Sequence, residues 1–172
     1  MSDRVNELTL QEITEFYRDN FVGKVLRYDV RHKSTPFLIK FDEGHLMHLL
    51  GLHKFGYKRG EKIYKDLLRG KISYKTLNNR DEGRFKAYHF RMKYFCFLTE
   101  VMENSRIAIY DPKRTESRIN ADFIFYNQVF DRFLSLGIRK EKNDSEFYIP
   151  VTFLEHEKNK WINQTHILHQ TK

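Results

Sequence analysis

Three imidazoles and an ammonium group fall inside one short apolar stretch of this chain. The segment 45–55, HLMHLLGLHKF, sets His45, His48, His53 and Lys54 among Leu46, Met47, Leu49, Leu50 and Leu52. Imidazole gives and takes a proton near neutral pH, and a lysine ammonium holds an anion. Together they read as equipment for chemistry on a phosphate. The bland alternative is a chance grouping, since eight His are scattered along the chain. The stretch reads as a helix. Asp42 and Glu43 open it, where carboxylates suit the positive end of the dipole. His45 and His48 are three apart and share a groove. Gly51 permits a turn or a close approach, and Lys54 and Lys58 follow where the helix ends.

The motifs that would announce other chemistry are absent. There is no Walker loop, no dinucleotide glycine fingerprint and no HExxH. His45 and His48 have the spacing of two zinc ligands, with Asp122 or His89 to be considered as a third, but nothing in the spacing predicts it. The carboxylates are dispersed, which does not suggest a two-metal site. No metal or cofactor is therefore expected. RNA cleavage without metal needs less. The 2′-hydroxyl is a tethered nucleophile. The protein must take one proton, hold oxyanion charge and return a proton to the leaving 5′-oxygen. His, Lys, Arg, Tyr and Thr supply all of this. DNA lacks the nucleophile, so the inventory fits a ribonuclease better than a deoxyribonuclease.

Composition agrees with an anionic partner. The 172 residues carry a net charge of +8, with 15% aromatics interleaved among the basic side chains. Such a surface suits nucleic acid, RNA first. A merely basic, soluble surface is the plain alternative. Cys96 is the only cysteine, which excludes an intrachain disulfide and fits a reducing compartment. The first twenty residues have no apolar core of a signal peptide, and no apolar run reaches membrane length. The expectation is a cytoplasmic protein with no membrane contact, folded as one domain over residues 1–172.

The remaining elements must position these groups. Thr9 and Glu12 form a capping box for a helix over 9–22, with Gly23 as its stop. Residues 25–30 and 37–41 read as a hairpin around Lys33–Pro36. Further helices are expected over 61–69 and from Ser73 through Leu77, followed by a loop over 78–83. A long helix spans 84–103 with an apolar stripe of Phe85, Tyr88, Met92 and Phe95. On it Arg84 and Arg91, seven apart, project alike and form a candidate phosphate clamp; a solvated shoulder is the ordinary alternative. The last third is strand-rich, over 106–110, 122–127, 129–138 and 147–154, although 129–136 also fits a short helix. Alternation puts Phe147, Ile149, Val151 and Phe153 on one face of the final strand, with Pro150 marking an edge or bulge. The tail with Gln164, His166 and His169 has no clear place. Helices first and strands after argue for an α+β fold, N-terminal helices packed on a small antiparallel β-sheet.

Several segments carry a resemblance. FDEGHLMHLLGLHKF resembles the F-x-HL-x-GL-x-K signature of a subfamily of phage-type Barnase–EndoU–colicin–RelE-like nuclease domains. GKISYKTL, RMKYFCFLTEVME, SRINADFIFYN, LGI and YIPVTFLEH resemble further family segments in the same order, spanning about residues 37–155. The resemblance implies a RelE-like α+β fold and a metal-independent, toxin-like or phage- and mobile-element-associated endoribonuclease. Such a protein would have RNA as its substrate and an antitoxin or immunity protein as a possible partner. Carried over, the catalytic candidates are His48 as acid or base, Lys54 and Arg91 to stabilise the phosphorane, and Tyr126 and Thr152 to position the phosphate or leaving group. Arg84, Lys58 and Arg118 are candidate RNA contacts. His45 and His53 are extra to the signature. The rival readings are a non-catalytic nucleic-acid-binding protein and a protein-binding adaptor on an inactive nuclease fold. Side chains converging in one cleft would favour the enzyme.

Overall fold

The computed structural model describes residues 7–31, 34–142 and 145–167; Lys33 and His169 lie outside them. Helix α1, Leu10–Asn20, starts where expected. Thr9 and Glu12 cap each other reciprocally, at 2.8 and 3.1 Å. Leu10, Ile13 and Tyr17 recur at helical spacing and are fully buried. Gly23 is not the cap itself: the helix closes at Phe21. Gly23 instead turns at φ 75° and donates its N–H to the Phe41 carbonyl at 3.1 Å. That bond ties α1 to the hairpin of β1, Val25–Tyr28, and β2, Phe37–Lys40.

The stretch after β2 departs from the single helix its composition predicts. It folds as a 3₁₀ turn at Glu43–His45, one helical turn α2 at Leu46–Leu49, and a second 3₁₀ turn at Leu52–Phe55. Gly51 and Gly56 break it with φ of 74° and 82°, a left-handed region that glycine enters freely. Tertiary packing demands the break. A methyl group on Gly51 would lie 2.8 Å from Tyr88 Cδ1. The broken path buries Leu46, Leu49, Leu50, Leu52 and Phe55 while leaving His48 exposed.

Helices α3, Gly60–Leu68, and α4, Tyr74–Arg80, follow. Ser73 caps α4, as expected, but α4 runs on to Arg80, so 78–83 is not a loop. Asp81 alone separates α4 from α5, Glu82–Lys93. Its N–H closes α4 on the Leu77 carbonyl at 3.0 Å, and its side chain caps α5 through the Arg84 N–H at 2.9 Å. The long helix expected over 84–103 is likewise broken. A 3₁₀ turn at Phe95–Phe97 separates α5 from α6, Leu98–Glu103. The turn lets Phe95 reach the sheet, where its ring lies 5.2 Å from that of Phe153.

The sheet is larger than the sequence suggests. Strands β3 (Arg106–Ile109), β4 (Phe123–Val129), β5 (Arg132–Lys140), β6 (Phe147–His156) and β7 (Thr165–Ile167) join the hairpin in the order β1-β2-β6-β5-β4-β3-β7. All pairings are antiparallel except β2 with β6. The α+β class holds, with one parallel pairing in the sheet. One face carries the main core, including Phe125, Leu134, Leu136, Ile138 and Phe153 under the helices. The other holds a small cluster of Ala108, Ile124, Tyr126 and Trp161. Among the described residues no helix is long and apolar enough to cross a membrane.

Two features of β6 prepare the site. Its pairing with β2 covers only Phe147 and Tyr148. Beyond them β5 flanks one side, while α2 and α5 pack against the strand. A bulge also interrupts it. Gly137 faces Thr152 and Ile138 faces Pro150, which leaves Val151 extra. The bulge overrides the alternation expected from sequence: the buried residues are Pro150 and Phe153, three apart.

Candidate functional site

The break at Gly51 assembles the first pair of functional side chains. In a continuous helix, residues five apart diverge around the axis. Here the chain turns back, and the His48 and His53 rings lie 4.7 Å apart, centroid to centroid. Partial desolvation of the ring, and then the Arg139 guanidinium, push His48 below the ordinary imidazole value although the residue as a whole stays exposed. Burial takes His53 down to about 4, with His48, Lys54 and Arg91 adding repulsion. Both rings are therefore neutral near pH 7, ready to accept a proton.

Arg91 reaches this pair from α5. Its guanidinium stands 5.0 Å from the Tyr88 ring centroid, and its Nη1 lies 3.2 Å from where a Gly51 side chain would begin. It is largely removed from water, and burial lowers its pKa; among the described residues no carboxylate acts on it. Arg91 also acts on His156 of β6. Burial, Lys160 and Arg91 bring its pKa to about 4. Among the described residues, His156 Nε2 and Arg139 Nε are buried with no hydrogen-bond partner.

Arg139, His48, His53, Arg91 and His156 thus act on one another in sequence, as a row of neighbours. Every charged group that shifts His48, His53 or His156 is a cation or an imidazole. Such a row repels divalent cations and attracts phosphate. Beside the row a cavity of about 500 Å³ opens between Gly44, His45 and His48 on one side and Arg139, Asn120 and the bulged strand on the other.

The candidates drawn from sequence distribute unevenly. His48, Lys54 and Arg91 converge around His53. Thr152 belongs to the bulge, paired with Gly137, and its Cγ2 methyl occupies the space a Gly137 side chain would need. Tyr126 is separated from the group. It is 2% exposed, its hydroxyl is 2.5 Å from His166 Nε2, and it lines another cavity of about 430 Å³ with Arg106 and Asn159. Arg84 does not join Arg91 as a clamp. It donates to the Lys54 carbonyl and pairs with Asp81 at 3.4 Å, which fastens the end of the 3₁₀ turn. Lys58 and Arg118 are exposed. Asp122 orders the strand ends, accepting from the Lys140 N–H at 2.7 Å.

Sequence reasoning passed over Arg139 and His156 and set His53 aside. His156 closes the YIPVTFLEH segment, and His53 lies inside the organising stretch, so position alone was a usable signal for both. Arg139 carried no signal beyond its charge, because only the β5–β6 register brings it to the cavity.

No curated protein and no solved structure matches the chain. A family model, described as phage-Barnase-EndoU-ColicinE5/D-RelE like nuclease4, matches residues 9–170. The α+β architecture, with helices on one face of the sheet, is consistent with that match. The chain belongs to this nuclease family.

Proposed function

We propose that the protein is a metal-independent endoribonuclease whose centre is the His48–His53 pair with Arg91. One observation carries the reading: the His48 and His53 rings are in contact beside the half-buried Arg91 guanidinium, on which no carboxylate acts among the described residues. A phosphodiester supplies the missing negative charge. One imidazole takes the proton of the 2′-hydroxyl as its oxygen bonds to phosphorus. Arg91, with Lys54 at the exposed rim, holds the charge of the phosphorane. The bond from phosphorus to the 5′-oxygen then breaks. The second imidazole, protonated in the field of the phosphate, returns a proton to that oxygen. The products are a 2′,3′-cyclic phosphate and a 5′-hydroxyl.

RNA is preferred over DNA because the site offers proton transfer and charge stabilisation, and the 2′-hydroxyl completes it with a nucleophile. Net charge of +8 draws the substrate in, with Lys58 and Arg118 as outlying contacts. A toxin-like role in the cytoplasm, controlled by an antitoxin or immunity protein, is part of the same proposal. The test is incubation of the purified protein with total RNA, with and without a metal chelator. Equal cleavage in both supports the reading. RNA that is bound but left intact favours the non-catalytic rival.

A further inference from the structure

We propose that the cavity lined by Arg106, Asn159, Ile162 and His166 is a binding site for a small aliphatic carboxylate. The site goes beyond the nuclease reading and does not depend on it. The cavity, about 430 Å³, opens at the β3–β7 end of the sheet, and β4 and β5 stand between β3 and β6. No member of the row around His48 and Arg91 lines it.

Three polar side chains that are not buried line it, and each presents a donor. Arg106 is exposed on β3 and has donors only. The Asn159 oxygen accepts the Trp161 N–H at 2.9 Å, which leaves the amide nitrogen to donate. Tyr126 is buried, so its hydroxyl needs an acceptor for its proton. His166 Nε2, 2.5 Å away, is assigned as that acceptor. The His166 hydrogen is then on Nδ1, a further donor. Among the described residues no Asp or Glu lines the cavity. Donors with no carboxylate of their own select an anion, and a guanidinium fork matches a carboxylate through two parallel bonds.

The apolar part of the wall decides what carries that anion. Ile162 is 67% exposed and Ile167 is half-buried, so both can meet a ligand. Tyr126, the large aromatic in the lining, is 2% exposed and gives a base no stacking face. An aliphatic chain therefore fits better than a nucleotide. Burial of its methylenes against Ile162 and Ile167 supplies affinity that the head group alone would lack.

The one tryptophan of the chain reports on this face, because Trp161 precedes Ile162 and shares a cluster with Tyr126. Its fluorescence is followed while the full chain is titrated with octanoate, and calorimetry gives the affinities. Octanoate is expected to bind with a Kd of about 0.1–1 mM, ordinary for a ligand of that size, and to shift the Trp161 emission. From butanoate to octanoate the affinity should rise about three- to fourfold per methylene. Octanol should bind about 10-fold more weakly, and octylamine should not bind. Arg106→Gln should weaken octanoate about 10- to 100-fold, and Ile162→Asp should weaken it as well. Failure of octanoate to bind the unmodified protein overturns the proposal. So does equal binding of octanol or octylamine, or an affinity unchanged in a folded Arg106→Gln variant. If that variant does not fold, Ile162→Asp, at an exposed position, decides in its place. Tighter binding of adenosine 3′-monophosphate than of octanoate, with the same Trp161 response, makes this a nucleotide site and also overturns the proposal. None of these readings uses RNA cleavage, so failure of the nuclease reading leaves them unchanged.

Discussion

The rings of His48 and His53 lie 4.7 Å apart and are inclined at 39°. This contact exists because Gly51 turns left-handed between them. Tyr88 and Arg91 of α5 press on that glycine. The reversal of the chain, the pairing of the imidazoles and the seating of the guanidinium are thus one structural event.

His48→Ala and His53→Ala should each reduce RNA cleavage about 10²–10⁴-fold, the usual span for general acid–base catalysis. The double variant should lose little more than the worse single, because the residues act as a unit. Single-turnover rates on one oligonucleotide measure this. Full activity in His53→Ala would return His48 to acting alone, as the family signature by itself suggests.

The two arginines of α5 should separate cleanly. Arg91→Ala should abolish cleavage, and Arg91→Lys should restore it only in part, since an ammonium lacks the planar fork. Arg84→Ala should mainly loosen the turn at Leu52–Phe55, lowering thermal stability more than rate on the folded enzyme. Equal rate losses for Arg84→Ala and Arg91→Ala would revive the clamp.

Gly51→Ala should cost about 1–2 kcal/mol from the left-handed backbone alone, and displacement of Tyr88 adds to that. The residual folded protein should also be less active, because Tyr88 supports Arg91. Denaturant melts beside activity measurements report both effects. A stable, fully active Gly51→Ala protein would break the link drawn between the turn and the site.

Acidity should act in two ways. Activity that needs a neutral imidazole rises with pH through that group's pKa. The half-rise in kcat/KM should therefore fall below the free imidazole value of about 6.5, following the lowered values of His48 and His53. Stability has the same sign. His53 and His156 sit near 4 when folded, so below about 6.5 the unfolded chain binds their protons first. Their contribution is complete above pH 6.5 and is lost as pH falls toward 4. Melting from pH 7 to pH 4.5 should show the decline, and His53→Gln with His156→Gln should flatten it.

How much of this was legible beforehand depends on range. The Thr9–Glu12 capping box, the Ser73 cap and the hairpin around Pro36 are local, and the sequence reading places all three. Gly51 was readable as a place where the chain could turn, but the break at Tyr94 was not legible, because propensity and apolar spacing continue through it. Contacts from elsewhere in the fold decide them: Tyr88 on Gly51, Phe153 on Phe95. The candidate site divides the same way. His48, Lys54 and Arg91 lie in or near readable motifs. Arg139 and His156 join through strand register, and the bulge at Val151 shifts that register by a residue. Tyr126 lay in a quoted motif, but its strand turns it to the opposite sheet face.

The central claim, metal-free cleavage by 2′-hydroxyl attack, is tested most directly with one RNA oligonucleotide and its single 2′-deoxy counterpart at the mapped cut. Both are incubated in chelator, and the product ends are identified by mass. The account predicts a 2′,3′-cyclic phosphate and a 5′-hydroxyl from the RNA, with no cut at that bond in the deoxy version. A 5′-phosphate end, or cleavage of the deoxy bond, would contradict it.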